Sequence, residues 1–145
     1  KNTPFDEPAP PHGEEAVVVA KEFLSAFFQK EKEKVLSLSA VPFLMDEQAI
    51  LIEIEQWDAI LKDIFDKKEL TGMEILSLSP YHSQDMARLN VRAWAKIVKA
   101  NFHRCTYVLV HVKYQAKDQK SWEEKFLLLL KTLSTGEIRV VGIVN

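Results

Sequence analysis

Three β-strand patterns in succession dominate the last part of the chain, from Arg104 to Val144. Residues 105–115 read CTYVLVHVKYQ, residues 121–133 read SWEEKFLLLLKTL, and residues 137–144 read EIRVVGIV. The breaks, AKDQK and STG, are short and polar, and the second brings Gly136, so each reverses the chain within a few residues. The pattern predicts an antiparallel meander that the preceding segments must cover. Alternation then assigns faces. Thr106, Val108, Val110, Val112 and Tyr114 share one face, and Tyr107, Leu109, His111 and Lys113 the other. On the middle strand Trp122, Phe126, Leu128 and Leu130 share a face interrupted only by Glu124, with Leu127, Leu129 and Leu133 opposite. Both faces are apolar, whereas a sheet open to water on one side shows polar alternation there. The expectation is helices on one face and a second subunit on the other, a homodimer through the sheet, unless strong curvature accounts for both.

Upstream, the period is mostly helical. Val17, Ala20, Leu24, Phe27 and Phe28 recur at helix spacing and predict a first helix over 14–30. The charged run KEKEK follows, and then a short helical piece with Val35, Leu36 and Leu38. Pro42 ends that piece. VPFLM reads as a short strand, DEQ as a turn and AILI as a returning strand, although a helix starting at Asp46 also fits. Ile54, Trp57, Ile60, Leu61, Ile64 and Phe65 give the next helix, and MEILSLSP a strand over 73–79. Met86, Leu89, Ala93, Trp94 and Ile97 give a last helix over 84–100, capped by Ser83 or Asp85 and ended by Asn101. Helices segregated from an antiparallel meander make this an α+β chain.

A length of 145 residues predicts one domain, residues 14–145, behind a flexible Pro-rich leader at 1–13. A net charge of −2 argues against a general nucleic-acid binder, which needs excess Lys and Arg to displace counterions. Cys105 is the one cysteine, so no intrachain disulfide forms. No apolar run approaches the roughly 20 residues of a membrane helix. The chain begins at Lys1, and its leader is of the kind that follows a removed signal peptide or a lipid-anchored cysteine. The expectation is a periplasmic or envelope location rather than a cytoplasmic one, with any membrane anchor being N-terminal and outside this chain.

The helix pair EEAVVVAKEFLSAFFQKEKEKVLSLS, the VPFLM strand and the closing FLLLLKTLSTGEIRVVGIVN together resemble the nuclear transport factor two-like superfamily. That resemblance implies a cystatin-like α+β roll, a curved antiparallel sheet wrapped around the long first helix. The helix before the last three strands is similar to an insertion in exported, often lipid-anchored bacterial members. The roll forms a cone whose open end often binds a small molecule. Its members include isomerases, dehydratases and cyclases as well as proteins without known chemistry, so fold does not decide function.

The isomerase mechanism of that family needs a carboxylate base and a hydrogen-bond donor in an apolar pocket. Asp46 falls near the base position implied by the resemblance, but the nearest match to the donor tyrosine is Phe23, which has no hydroxyl. His111 is the second acid/base candidate, on the same strand face as Tyr107. The pocket candidates are Phe23, Phe27, Trp57, Tyr107 and His111, with Trp94 and Trp122 as further aromatic walls. Arg88, Arg92, Lys96 and Lys99 recur at spacings that put them on one helix face, a solvated stripe or a surface for an anionic partner or lipid. His12, His82, His103 and His111 have no second ligand at zinc-site spacing, and no phosphate loop is present, so neither metal nor cofactor is expected. The leading expectation is a non-catalytic domain that binds a small apolar ligand or a protein partner. The alternative is a cofactor-independent enzyme of the isomerase, dehydratase or cyclase type using Asp46 and His111.

Overall fold

The structure is a computed structural model that describes residues 8–45, 49–67 and 70–145. The chain order is α1 (Gly13–Phe28), α2 (Lys32–Ser37), β1 (Ser39–Met45), β2 (Ala49–Leu51), α3 (Ile54–Lys67), β3 (Leu70–Tyr81), α4 (Ser83–Leu89), α5 (Val91–Lys99), β4 (Thr106–Ala116), β5 (Ser121–Thr132) and β6 (Ile138–Val144). The strands form one curved six-stranded sheet in the order β2-β1-β6-β5-β4-β3. All neighbours are antiparallel except β1 and β6, which run parallel. The meander expected from the last three strand patterns is the centre of this sheet.

Both faces of the β4–β5 pair are buried, each against its own helical layer. On the first face Val108, Val110, Val112, Leu128 and Leu130 pack with Ala20, Phe23 and Leu24 of α1 and Trp57, Leu61 and Phe65 of α3. On the second face Tyr107, Leu127 and Leu129 pack with Met86 of α4, Ala93 and Ile97 of α5, and Phe102. The chain therefore supplies its own cover for much of the second apolar face, where sequence alone pointed to a second subunit. The helix expected over 84–100 is two helices. Asn90 breaks it at φ −154°, and its side-chain oxygen accepts from the Ala93 N–H at 3.0 Å, capping α5. Asn101 ends α5 in the left-handed region at φ 64°, where asparagine is tolerated.

Local chemistry explains the remaining boundaries. The Gln56 side-chain oxygen accepts from the N–H groups of Ile52 and Glu53, at 2.8 and 3.0 Å, which fixes the start of α3 at Ile54 instead of Asp46. Asp46 and the DEQ turn lie outside the described residues. Pro42 lies within β1, in the stretch between Ser39 and Leu44 where pairing with β6 shifts register, as a residue without an N–H requires. Strand β3 is longer than expected, pairing with β4 from Leu70 to Tyr81. The end of the leader is docked: Pro11 is buried and its carbonyl accepts from the Thr106 hydroxyl.

A buried relay joins α2, β1 and α3. The Ser39 hydroxyl donates to the Val35 carbonyl at 2.7 Å and accepts from the Trp57 indole N–H at 3.0 Å. Trp57 is wholly buried and stacks on Phe43, with ring centroids 4.6 Å apart. Ser39→Ala would strand the indole N–H away from water, at a cost of about 1–3 kcal/mol. Urea denaturation of the two proteins measures this. A loss under about 0.5 kcal/mol would mean that the indole finds another partner.

Candidate functional site

The first sheet face is not filled to its end. A groove of about 360 Å³ lies between α1, α3 and the sheet, lined by Phe23, Phe27, Ile64, Met73, Phe126 and Tyr114, with Glu124 beside them. Period two on β5 brings Trp122, Glu124 and Phe126 onto this face, in register with Tyr114, Val112 and Val110 of β4. A second, more open hollow of about 430 Å³ shares Phe27, Ile64, Tyr114 and Glu124 with it and extends to Trp122 and Lys67. Sharing these four residues, the two make one continuous depression that runs from Phe23 to Trp122.

Its wall is aromatic. Phe23 and Phe27, one turn apart on α1, stack at 6.3 Å, and Phe27 meets the edge of Phe65 at 5.4 Å. Tyr114 and Trp122 face each other across β4 and β5 at 5.6 Å. The Trp122 indole N–H donates to Glu124 Oε1 at 3.3 Å, and the ring is 41% exposed, so it forms the lip of the groove. The polar groups of the depression include the Tyr114 phenol and the Glu124 carboxylate, with Asn145 also in the lining of the groove and the Asp63–Lys67 ion pair in that of the outer hollow.

The structure separates the expected pocket residues. Phe23 and Phe27 line the groove. Trp57 lies in the same apolar layer but is wholly buried, its N–H committed to Ser39. Tyr107 points to the opposite face. It is wholly buried under α5, meets Trp94 edge-on at 5.7 Å, and donates its hydroxyl to the Phe102 carbonyl at 2.7 Å. His111 is on that same opposite face, with Nε2 2.6 Å from Glu123 Oε1. Alternation correctly keeps Tyr107 and His111 together, but the cone lies on the other side of the sheet. The residues missed are Tyr114 and Glu124. Their signal was present in the sequence, as the one carboxylate interrupting the Trp122–Leu130 face and the tyrosine sharing a face with Val108–Val112.

Of the basic residues, Arg88 belongs to α4 and pairs with Asp85 at 3.3 Å, while Arg92, Lys96 and Lys99 belong to α5. The break at Asn90 divides the expected single stripe. Among the described residues no three of His, Cys, Asp and Glu come together in a metal-binding group, and no helix is long and apolar enough to cross a membrane.

Burial, and then the Glu124 carboxylate, push the Tyr114 phenol up to about 12 from its ordinary 10. The folded protein thus holds this proton more tightly than the unfolded chain does. Its contribution to stability is complete below pH 10 and is lost as pH rises from 10 towards 12. The phenolate absorbance difference between the parent and Tyr114→Phe is expected to rise with a midpoint of about 12. A midpoint at the ordinary tyrosine value would show the phenol to be in water.

No family model and no curated protein matches this sequence. Solved structures do match it in fold. A candidate ketosteroid isomerase from Shewanella frigidimarina superposes with a TM-score of 0.59 at 13% identity, over 87% of this chain and 89% of that one. A candidate calcium/calmodulin dependent protein kinase II association domain from Xanthomonas campestris gives 0.56 at 12% identity, over 96% and 91%. The helical cell shape determining protein Pgp2 from Campylobacter jejuni gives 0.52 at 18% identity, over 86% of this chain but 38% of that one. At these identities the likeness is one of fold. The chain has the cone-shaped α+β fold of the nuclear transport factor two-like superfamily.

Proposed function

We propose that this domain binds a small, largely apolar molecule in the groove between α1, α3 and the first sheet face. The observation that carries the reading is the groove itself, about 360 Å³ walled by Phe23, Phe27, Ile64, Met73 and Phe126. That volume is in the range of small-molecule sites, which are mostly apolar with a few polar groups for orientation. Tyr114 and Glu124 are among those groups here, and a ligand carbonyl or hydroxyl would meet the phenol and the carboxylate while its apolar body lay against the phenylalanines.

A second reading, proton transfer of the isomerase type, is favoured by one observation. Glu124 acts electrostatically on Tyr114 beside an apolar floor, which pairs a carboxylate with a phenol donor. In that reading Glu124 replaces Asp46 and His111 as the base and Tyr114 supplies the donor. Isomerisation of a β,γ- to an α,β-unsaturated ketone, followed by conjugated-enone absorbance, separates the two. Binding without turnover supports the non-catalytic reading, and turnover lost in Glu124→Gln supports the enzyme.

Binding is tested with 1-aminoanthracene, a neutral apolar fluorophore. Its emission is expected to rise with the protein and to quench Trp122 at the lip of the groove. Met73→Trp fills the groove from β3 and should weaken binding by about tenfold or more, the cost of losing one or two good apolar contacts. Unchanged binding in a Met73→Trp protein with native circular dichroism would overturn the proposal.

A further inference from the structure

The second sheet face has a hollow of its own. A cavity of about 380 Å³ opens where α5 ends and the chain turns into β4. Its buried walls are Phe102, Cys105 and Val141, and its exposed lining includes His103, Arg104 and Lys131. No carboxylate is found among the described lining residues. Lys131 has no ion-pair partner among the described residues, and it is close enough that its charge acts on the Cys105 thiol. Alternation puts Lys131 on the face of Leu127 and Leu129, so its ammonium stands on the same side of the sheet as α5.

The loop that frames this cavity is held from two directions. The Tyr107 hydroxyl donates to the Phe102 carbonyl at 2.7 Å, and the Ser83 hydroxyl donates to the His103 carbonyl at 2.7 Å. These bonds fix the backbone that carries His103 and Arg104. Lys131 supplies positive charge at the rim, and a concave site with low-dielectric walls concentrates such a field at its mouth.

From the apolar walls and the Lys131 ammonium at the rim, we infer that this cavity is a second binding site, for an amphipathic anion: one carboxylate or phosphate head on a short apolar tail. The head would lie between Lys131 and His103, and the tail against Phe102 and Val141. The occupant differs from that of the groove in charge, and the sheet separates the two sites, so the inference does not depend on the proposed function.

Octanoate is the soluble probe, with octanol as its neutral control, and amide chemical shifts are the readout. Octanoate is expected to move the amides of residues 100–105, and octanol at equal concentration to move them much less. Lys131→Glu with His103→Glu should weaken octanoate binding about tenfold, the effect of placing negative charge at two exposed positions. Met73→Trp, which fills the other site, should leave these shifts unchanged. Sedimentation with phosphatidylglycerol vesicles, and not with phosphatidylcholine vesicles, would identify the head as a lipid's. Octanoate binding without sedimentation would identify a free anion. Equal effects of octanoate and octanol, octanoate binding untouched by the double substitution, or no movement of residues 100–105 would each overturn the inference.

Discussion

The structure depends on the double-sided burial of β4 against β5. Val108, Val110, Leu128 and Leu130 are fully buried on one face, and Tyr107 and Leu129 on the other. Burying each such side chain is worth about 1.5–3 kcal/mol, so neither face can be left to water. The chain meets this demand with two helical layers, α1 and α3 on the first face and α4 and α5 on the second. Strand β6 extends the same double-sided surface towards β1, helped by Gly142, where a Cβ would stand 3.1 Å from Leu44 and 3.2 Å from Leu129. The Leu44 and Leu129 side chains and the Leu44 carbonyl can press this close because the residue has no side chain.

Each cover ends before the sheet does, and a cavity forms at each end. On the first face the aromatic wall of α1 and α3 runs out near Tyr114, Trp122 and Glu124, and the groove remains. On the second face α5 stops at Asn101, and the hollow walled by Phe102 and Val141 remains. The two differ in charge because their rims come from different segments. The groove takes its Glu124 carboxylate from the interruption in the apolar face of β5. The opposite hollow takes its cations from the α5–β4 connection and the end of β5. One sheet thus carries two chemically unlike concavities.

Much of the fold was legible because β alternation and helical period are local signals. The meander, the first helix, the helix from Ile54 and the division of β4 and β5 into two faces all follow from residue spacing. What spacing does not contain is which face curls around α1. Tyr107 and His111 were correctly placed together, yet only three-dimensional packing shows that α1 covers Val108 and Val110 while α5 covers Tyr107. The break at Asn90 was hidden because Met86, Leu89 and Ala93 keep a helical period across it. An asparagine capping the next helix from inside an unbroken apolar pattern leaves no signal in the period. Glu124 was visible as an interruption, but a carboxylate on an apolar strand reads the same whether it faces a groove or open water. Tyr114 and Glu124 become a site only once α1 and α3 supply the other wall.

The first sheet face ends in an open apolar groove and not in a filled core. Xenon tests this most directly, since it enters apolar cavities without needing polar partners. In a crystal held under xenon pressure, the expected result is anomalous density between Phe23, Ile64, Met73 and Phe126. Side chains filling that space, with no xenon among them, would contradict the claim.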